Sequence, residues 1–281
     1  MHFFMMVLGV TLALWVRWHW VPSGGNWNQR WQRTLGYFLF PPLLLVMTAI
    51  SILCMGPSGQ MMWHREGWLS YGLAIAFLLW TLILGCKLFW EGQQTVQQFR
   101  QHPAIEVQGN SARVLDTSEL YSAQVGFWQP ELVVSQGLLD RLDPAHLEAV
   151  LTHEQAHAHY RDTFWFFWLG WLRRMTLWLP NTEALWQELL MLRELRADRR
   201  AAQQVDPLVL AESLLLVVSA PIMQLDLCAA FSWANSSDRL IERIDFILSN
   251  SDDQPLQWQR SSLLWLLVVL LPLLVVPFHA G

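Results

Sequence analysis

Apolar residues fall along this chain in four long, nearly uninterrupted runs and in several shorter, patterned ones. The long runs extend from about Phe3 to Trp20, Leu35 to Met55, Trp68 to Trp90 and Ser261 to Phe278. Each approaches the ~20 residues that a helix needs to cross the hydrocarbon of a bilayer. The first lacks a basic start and a small-residue cleavage site, so it reads as a span rather than a cleaved leader. Pro41-Pro42 should kink the second, a distortion that membrane helices tolerate.

Between the third and fourth runs the pattern changes. Ala104–Gln108 and Ala112–Leu115 read as short strands about a Gly109-Asn110 turn. Ala123–Phe127 and Glu131–Ser135 form a second pair across Trp128-Gln129-Pro130, which predicts a small antiparallel sheet. Asp143-Pro144 then starts a helix, with Asp143 as N-cap and Pro144 at the first helical position, running to about Tyr160. Another helix begins near Asn181-Thr182 and continues to about Gln204. Leu208 to Phe231 is apolar but holds Glu212, Pro221 and Asp226, and reads as a helix packed on the domain core or the bilayer surface. The expected fold is an α+β membrane protein. Residues 1–90 form three transmembrane helices, 91–260 a mainly helical domain with the small sheet, and 261–281 the fourth span.

Composition strengthens the bilayer reading: 53% of residues are hydrophobic, 15% are charged and 18 are Trp. Trp18, Trp20, Trp63, Trp68, Trp90 and Trp258 lie near span ends, where indole suits the interface. Arg17, Arg30, Arg33, Lys87 and Arg260 cluster on one side of the spans, against only Arg65 on the other. By the positive-inside preference, the N-terminus is outside and the 91–260 domain cytoplasmic, in a bacterial-type inner membrane. That domain holds 22 acidic and 13 basic residues, without a basic stripe, which argues against direct nucleic-acid binding. Cys54, Cys86 and Cys228 sit in apolar surroundings without ligand spacing and read as small hydrophobic fillers.

The candidate chemistry lies on the first helix of the domain. His153-Glu154-Gln155-Ala156-His157 is an HExxH sequence. Residues i and i+4 share a helix face, so His153 and His157 can grip one zinc ion. Glu154, about 100° round the helix, can reach a water on that ion without ligating it, and serves as general base. A catalytic zinc takes three protein ligands, and Glu194-Leu195-Arg196-Ala197-Asp198 on the next helix offers Glu194 as the third. Asp198 is then free to orient a metal-bound histidine. Closing this site requires that the Trp- and Phe-rich segment from Thr163 to Leu179 not cross the membrane, since a crossing would separate Glu194 from the histidines. Arg193, Arg196 and Arg200 read as a solvated or headgroup-facing stripe. The developing oxyanion needs a further donor; His146, His159, Tyr160, Arg239 and Arg243 are candidates.

Gly126-Phe127-Trp128-Gln129-Pro130, Val133-Val134-Ser135, Leu147–Leu151 leading into HEQAH, Arg161-Asp162, ELRAD and Arg239-Leu240-Ile241-Glu242-Arg243-Ile244 together resemble the BlaR/MecR-type integral-membrane metallopeptidases. These are relatives of HtpX-like and CAAX-prenyl endopeptidases with a gluzincin-type domain. The resemblance covers roughly Ala104 to Leu248, and the three-before, one-after span arrangement favours the BlaR/MecR group. It implies His153, His157 and Glu194 as ligands, Glu154 as base and Asp198 as outer partner, and it gives Arg243 an edge among the oxyanion donors. It further implies a protein or peptide substrate, such as a cytosolic winged-helix repressor in a signalling pathway. Members that sense β-lactams carry a penicillin-binding domain after the last span. This sequence reads only to Gly281, so sensing by that route is not expected within it. Two rival readings stand beside this one: a catalytically silent membrane regulator or assembly factor that keeps the zinc fold as a scaffold, and a general membrane-protein quality-control protease.

Overall fold

The computed structural model describes residues 2–22, 24–57, 64–218, 237–249 and 266–278. The elements in chain order are α1 (His2–Trp18), α2 (Trp27–Met55), α3 (His64–Arg100), β1 (Ala104–Val107), β2 (Asn110–Leu115), β3 (Ser122–Val125) and β4 (Glu131–Ser135). They are followed by α4 (Gln136–Arg141), α5 (Pro144–Tyr160), α6 (Asp162–Met175), α7 (Thr182–Ala201), α8 (Pro207–Val218), α9 (Ser237–Leu248) and α10 (Leu271–Leu274). The described residues form two units. One comprises residues up to 87, 171–189 and 266–278; the other comprises 88–170, 190–218 and 237–249.

Among the described residues, α2 and the Gly67–Arg100 part of α3 are long and apolar enough to cross a membrane by length and composition. Only 17% of the apolar window in α3 is buried, against 56% in α2, so α3 leaves a long hydrophobic surface uncovered. The helix α1 spans 17 residues and is shorter than the run from which it was expected, ending ahead of Val21-Pro22. The fourth expected span is described only over 266–278. Pro272 and Pro277 fall in that stretch, and it is divided among short helical pieces, of which α10 has four residues. Proline removes a backbone donor, so an apolar run alone does not guarantee one continuous helix. Among the described residues, two helices, α2 and α3, are of spanning length. Arg17 is fully buried and donates to Phe38 O, and Arg30 pairs with Glu188, so two of the orienting arginines also serve packing. Cys54 and Cys86 are free and exposed on α2 and α3 rather than packed inside, and Cys228 lies outside the described residues.

The second unit is built on the sheet, whose order is β1-β2-β4-β3. β1 and β2 form an antiparallel hairpin, with Val107 opposite Asn110. The two loop residues are therefore Gln108 and Gly109, one position earlier than the sequence suggested. Both have positive φ, 47° and 79°, as a type I′ turn requires. β2 pairs with β4 in parallel, and β3 lies antiparallel on the far side of β4. The sheet is mixed, not antiparallel. The alternation was legible; the partner of each strand was not, because it depends on how the 116–121 segment carries the chain past β4's position.

Alternate residues serve two cores. Ala112, Val114, Leu132 and Val134 pack with Leu138, Val150 and Leu151 from α4 and α5. Leu115 and Val133 face the other way onto Phe99 near the end of α3. Asp143 caps α5 by accepting from the backbone N–H groups of Ala145 and His146. Ala149 of α5 then joins Ala201, Leu210, Ala211 and Ile247, which ties α5 to α7, α8 and α9. The expected helix after Leu208 is α8, packed on the domain core as far as Val218; Pro221 and Asp226 lie outside the described residues.

One close approach is expected to be intolerant. A Cβ added at Gly137, in the first turn of α4, would meet the backbone carbonyl oxygen of Ser118 at 2.3 Å. Gly137→Ala should therefore lower stability by about 1–3 kcal/mol, as overpacking against a fixed backbone does. Thermal unfolding of the purified protein checks this, and an unchanged melting temperature would contradict it.

Candidate metal centre

All the groups of this site lie in the second unit. His153 and His157 stand one turn apart on α5, with their Nε2 atoms 3.1 Å apart. Glu194 comes from α7, with Oε2 3.4 Å from His153 Nε2 and Oε1 3.7 Å from His157 Nε2. Ligand atoms of the three residues all lie within 4.8 Å of one another. Their side chains are 9% to 13% exposed, nearly dry but still reachable. The segment between the two helices is α6, 14 residues long, too short for a span. The condition for closing the site, both helices presenting their ligands to one point, is met.

Each histidine is backed at its other ring nitrogen. His153 Nδ1 lies 2.9 Å from Asp198 Oδ1, within ion-pair distance though not aligned as a hydrogen bond. His157 Nδ1 lies 2.7 Å from Asp162 Oδ2. A carboxylate at Nδ1 favours the tautomer that leaves the Nε2 lone pair for a cation. Arg243 of α9 donates from Nε and Nη2 to the two oxygens of Asp198, 2.7 Å each, and its Nη1 lies 3.4 Å from Glu194 Oε2. Arg193 donates to Glu194 Oε1 at 2.9 Å and sits over the Phe166 ring. Arg196 pairs with Asp162 over the ring of Tyr160.

Burial alone would discharge every one of these groups, and their mutual proximity reverses that. For His157 burial opposes the charged form, yet the Glu194 and Asp162 carboxylates outweigh it and push the imidazole up to about 10. His153 is raised in the same way, against burial, by Asp198 and Glu194. Burial disfavours charge on Glu194, but Arg193, His157 and Arg243 hold it well below the usual carboxylate range. Asp198 is likewise lowered against burial, chiefly by Arg243. The site is an anionic notch facing two imidazoles, and it demands positive charge, from protons or from a metal.

Glu154 is buried beside His153 and accepts a hydrogen bond from the Ser122 hydroxyl, 3.0 Å away, on the edge strand β3. The other candidate donors are dispersed. His146 pairs with Asp143 and lies 3.4 Å from Glu212, His159 is exposed and stacks on Tyr160, and Tyr160 lies under Arg196. Arg239 and Arg243 are both on α9, and Arg243 engages the site's carboxylates. The arginine stripe expected on α7 is not solvated at Arg193 and Arg196, which are 16% and 10% exposed and turned onto carboxylates. Spacing along one helix could not reveal this, because Asp162 arrives from another element. Asp162 was visible only as part of the Arg161-Asp162 pair, without a role.

Two histidines from an HExxH helix and a glutamate from a second helix, behind a small sheet, define a two-imidazole, one-carboxylate centre whose donors suit zinc. Residues 91–227, just under half of the chain, match the model of Peptidase family M48, a zinc metalloprotease family, and the match contains His153, Glu154, His157, Glu194 and Asp198. No curated protein matches the chain.

The proton load generates a prediction. A cation needs both Nε2 lone pairs, so it must displace protons. Metal affinity should rise with pH, by up to about tenfold per unit for each proton released. Metal-free protein should show the opposite trend. The raised His157 stabilises it fully below the ordinary value of 6.5, and that contribution is lost as pH rises through about 10. Chelator competition and thermal unfolding across the neutral range test the pair; affinity independent of pH would contradict it.

Proposed function

We propose that this protein is a membrane-embedded zinc endopeptidase acting on a protein substrate. The observation that carries the reading is the convergence of His153, His157 and Glu194 within one coordination radius, in a segment similar to Peptidase family M48. Zinc held by these three side chains supplies Lewis-acid polarisation of a peptide carbonyl and lowers the pKa of water to about 7. Glu154 is the general base: it accepts the proton of the attacking water and returns it to the leaving amine. The Ser122 hydroxyl fixes the rotation of that carboxylate through Oε1. Asp198 orients His153. Arg243, with Nε and Nη2 engaged on Asp198, acts by holding Asp198 and Glu194 in place rather than by donating to an oxyanion.

Extended substrate pairs with β3, which among the described residues has a strand neighbour on one side only and is linked by Ser122 to Glu154. Support for the bilayer comes from α2 and α3, above all from the uncovered apolar surface of α3. In this reading the peptidase domain faces the cytoplasm of a bacterial-type cell and α6 lies in the interface. Cleavage of a winged-helix repressor is the finer reading carried by the BlaR/MecR-type resemblance, and broad membrane-protein turnover shares its chemistry.

Glu154→Gln should keep its zinc and lower kcat about 10²–10⁴-fold. Zinc analysis with a peptide-cleavage assay in detergent checks both halves, and a zinc-loaded variant cleaving at the normal rate would remove Glu154 from the role. Wild type that holds zinc but cleaves nothing would favour the silent scaffold. Proteins trapped by the variant separate one repressor from many membrane proteins.

A further inference from the structure

The two ligand histidines are supported in the same manner from different directions, and only one of these supports is explained by the ExxxD sequence. We infer that Asp162 and Arg196 form a second carboxylate–arginine pair that positions His157 for metal binding, the counterpart of Asp198 and Arg243 behind His153. The inference rests on the zinc reading above and assigns it two further residues.

The geometry begins with the end of α5. Residue i+5 of an unbroken helix would lie about 140° round from residue i, turned away from it. Here the helix stops at Tyr160, and Arg161 takes a left-handed conformation, φ 54° and ψ 44°, with its N–H closing on the carbonyls of Ala158 and His157. That single residue turns the chain, so Asp162, the first residue of α6, comes back over His157. Its Oδ2 lies 2.7 Å from Nδ1, and its side chain is 3% exposed.

A carboxylate this deeply buried requires a counter-charge. Arg196 supplies it by donating from Nη2 to Oδ1, the oxygen that His157 does not use. The guanidinium is itself set in place, 4.2 Å over the Tyr160 ring, with Arg200 at 5.8 Å from the same ring. Asp162 thus has one oxygen for each partner, and the imidazole is left one orientation, with Nδ1 as donor and Nε2 turned to His153 and Glu194. Arg196 stands two residues from Glu194 and two from Asp198 on α7, so one helix contributes a ligand and one member of each supporting pair.

A merely structural Asp162 would favour the first turn of α6 through the helix dipole and leave the metal untouched. The two roles separate in full-length protein purified in detergent, using zinc affinity by chelator competition and the visible absorption of the cobalt-substituted protein. Asp162→Asn is expected to weaken zinc about 10- to 100-fold and to shift the cobalt bands, with helix content retained. Asp162→Glu should recover part of the loss. Arg196→Gln, which leaves Asp162 in place, should weaken zinc in the same direction by less, and the double variant should be no worse than Asp162→Asn alone. A folded Asp162→Asn protein with wild-type zinc affinity and an unshifted cobalt spectrum would overturn the positioning role. Should that variant not fold, Arg196→Gln decides: unchanged affinity overturns the pair. Wild type that binds neither zinc nor cobalt, or binds them as well after His157→Ala, sinks the metal reading itself, which is a separate and recognisable failure.

Discussion

The constraint on which the second unit turns is the meeting of two imidazole nitrogens, 3.1 Å apart, with a buried carboxylate. Two lone pairs aimed at one another repel unless a positive charge lies between them. Everything around them is arranged to hold that unfavourable face together. The N-capped α5 fixes the histidines one turn apart, α7 carries Glu194 into reach, and α9 contributes a guanidinium to both Asp198 and Glu194. The small apolar joint of Ala149, Ala201, Leu210, Ala211 and Ile247 is what lets these helices approach so closely, since alanine at three of the five positions keeps the backbones near one another.

Charge is handled in layers. Nearest the centre are two histidines and one glutamate; behind them are Asp162 and Asp198; behind those are Arg196 and Arg243, with Arg193 on Glu194 itself. Alternating sign outward lets a set of ionisable groups be buried together when none could be buried alone. The same alternation raises both histidines and lowers Glu194 and Asp198 at once, because each group is charged on account of its neighbours. Removing any one member therefore disturbs several, and single substitutions here are expected to be far from additive.

Much of this was legible along the chain because it is local. The histidine spacing, the Asp143-Pro144 start and the four strands are short-range signals, and the structure places them within a residue or two. What escaped is what depends on long-range assembly. Arg193 and Arg196 looked like an outward stripe because nothing on α7 reveals that Asp162 will be brought to meet one of them. The β1–β2 turn slipped by one residue because Gln108, not Asn110, accepts positive φ beside Gly109. The apolar runs showed where hydrophobic surface lies, but not that α1 would end at Trp18 or that the described residues 266–278 would form short helical pieces.

The order β1-β2-β4-β3 has a consequence for access to the centre. A simple meander would have enclosed Ser122 between two neighbours and offered β4 as the rim. By skipping to β4 first, the chain leaves Ser122's strand outermost among the described strands, so that margin of the sheet and the buried Glu154 adjoin. Connectivity, rather than the identity of any residue in the strand, decides which strand forms that margin.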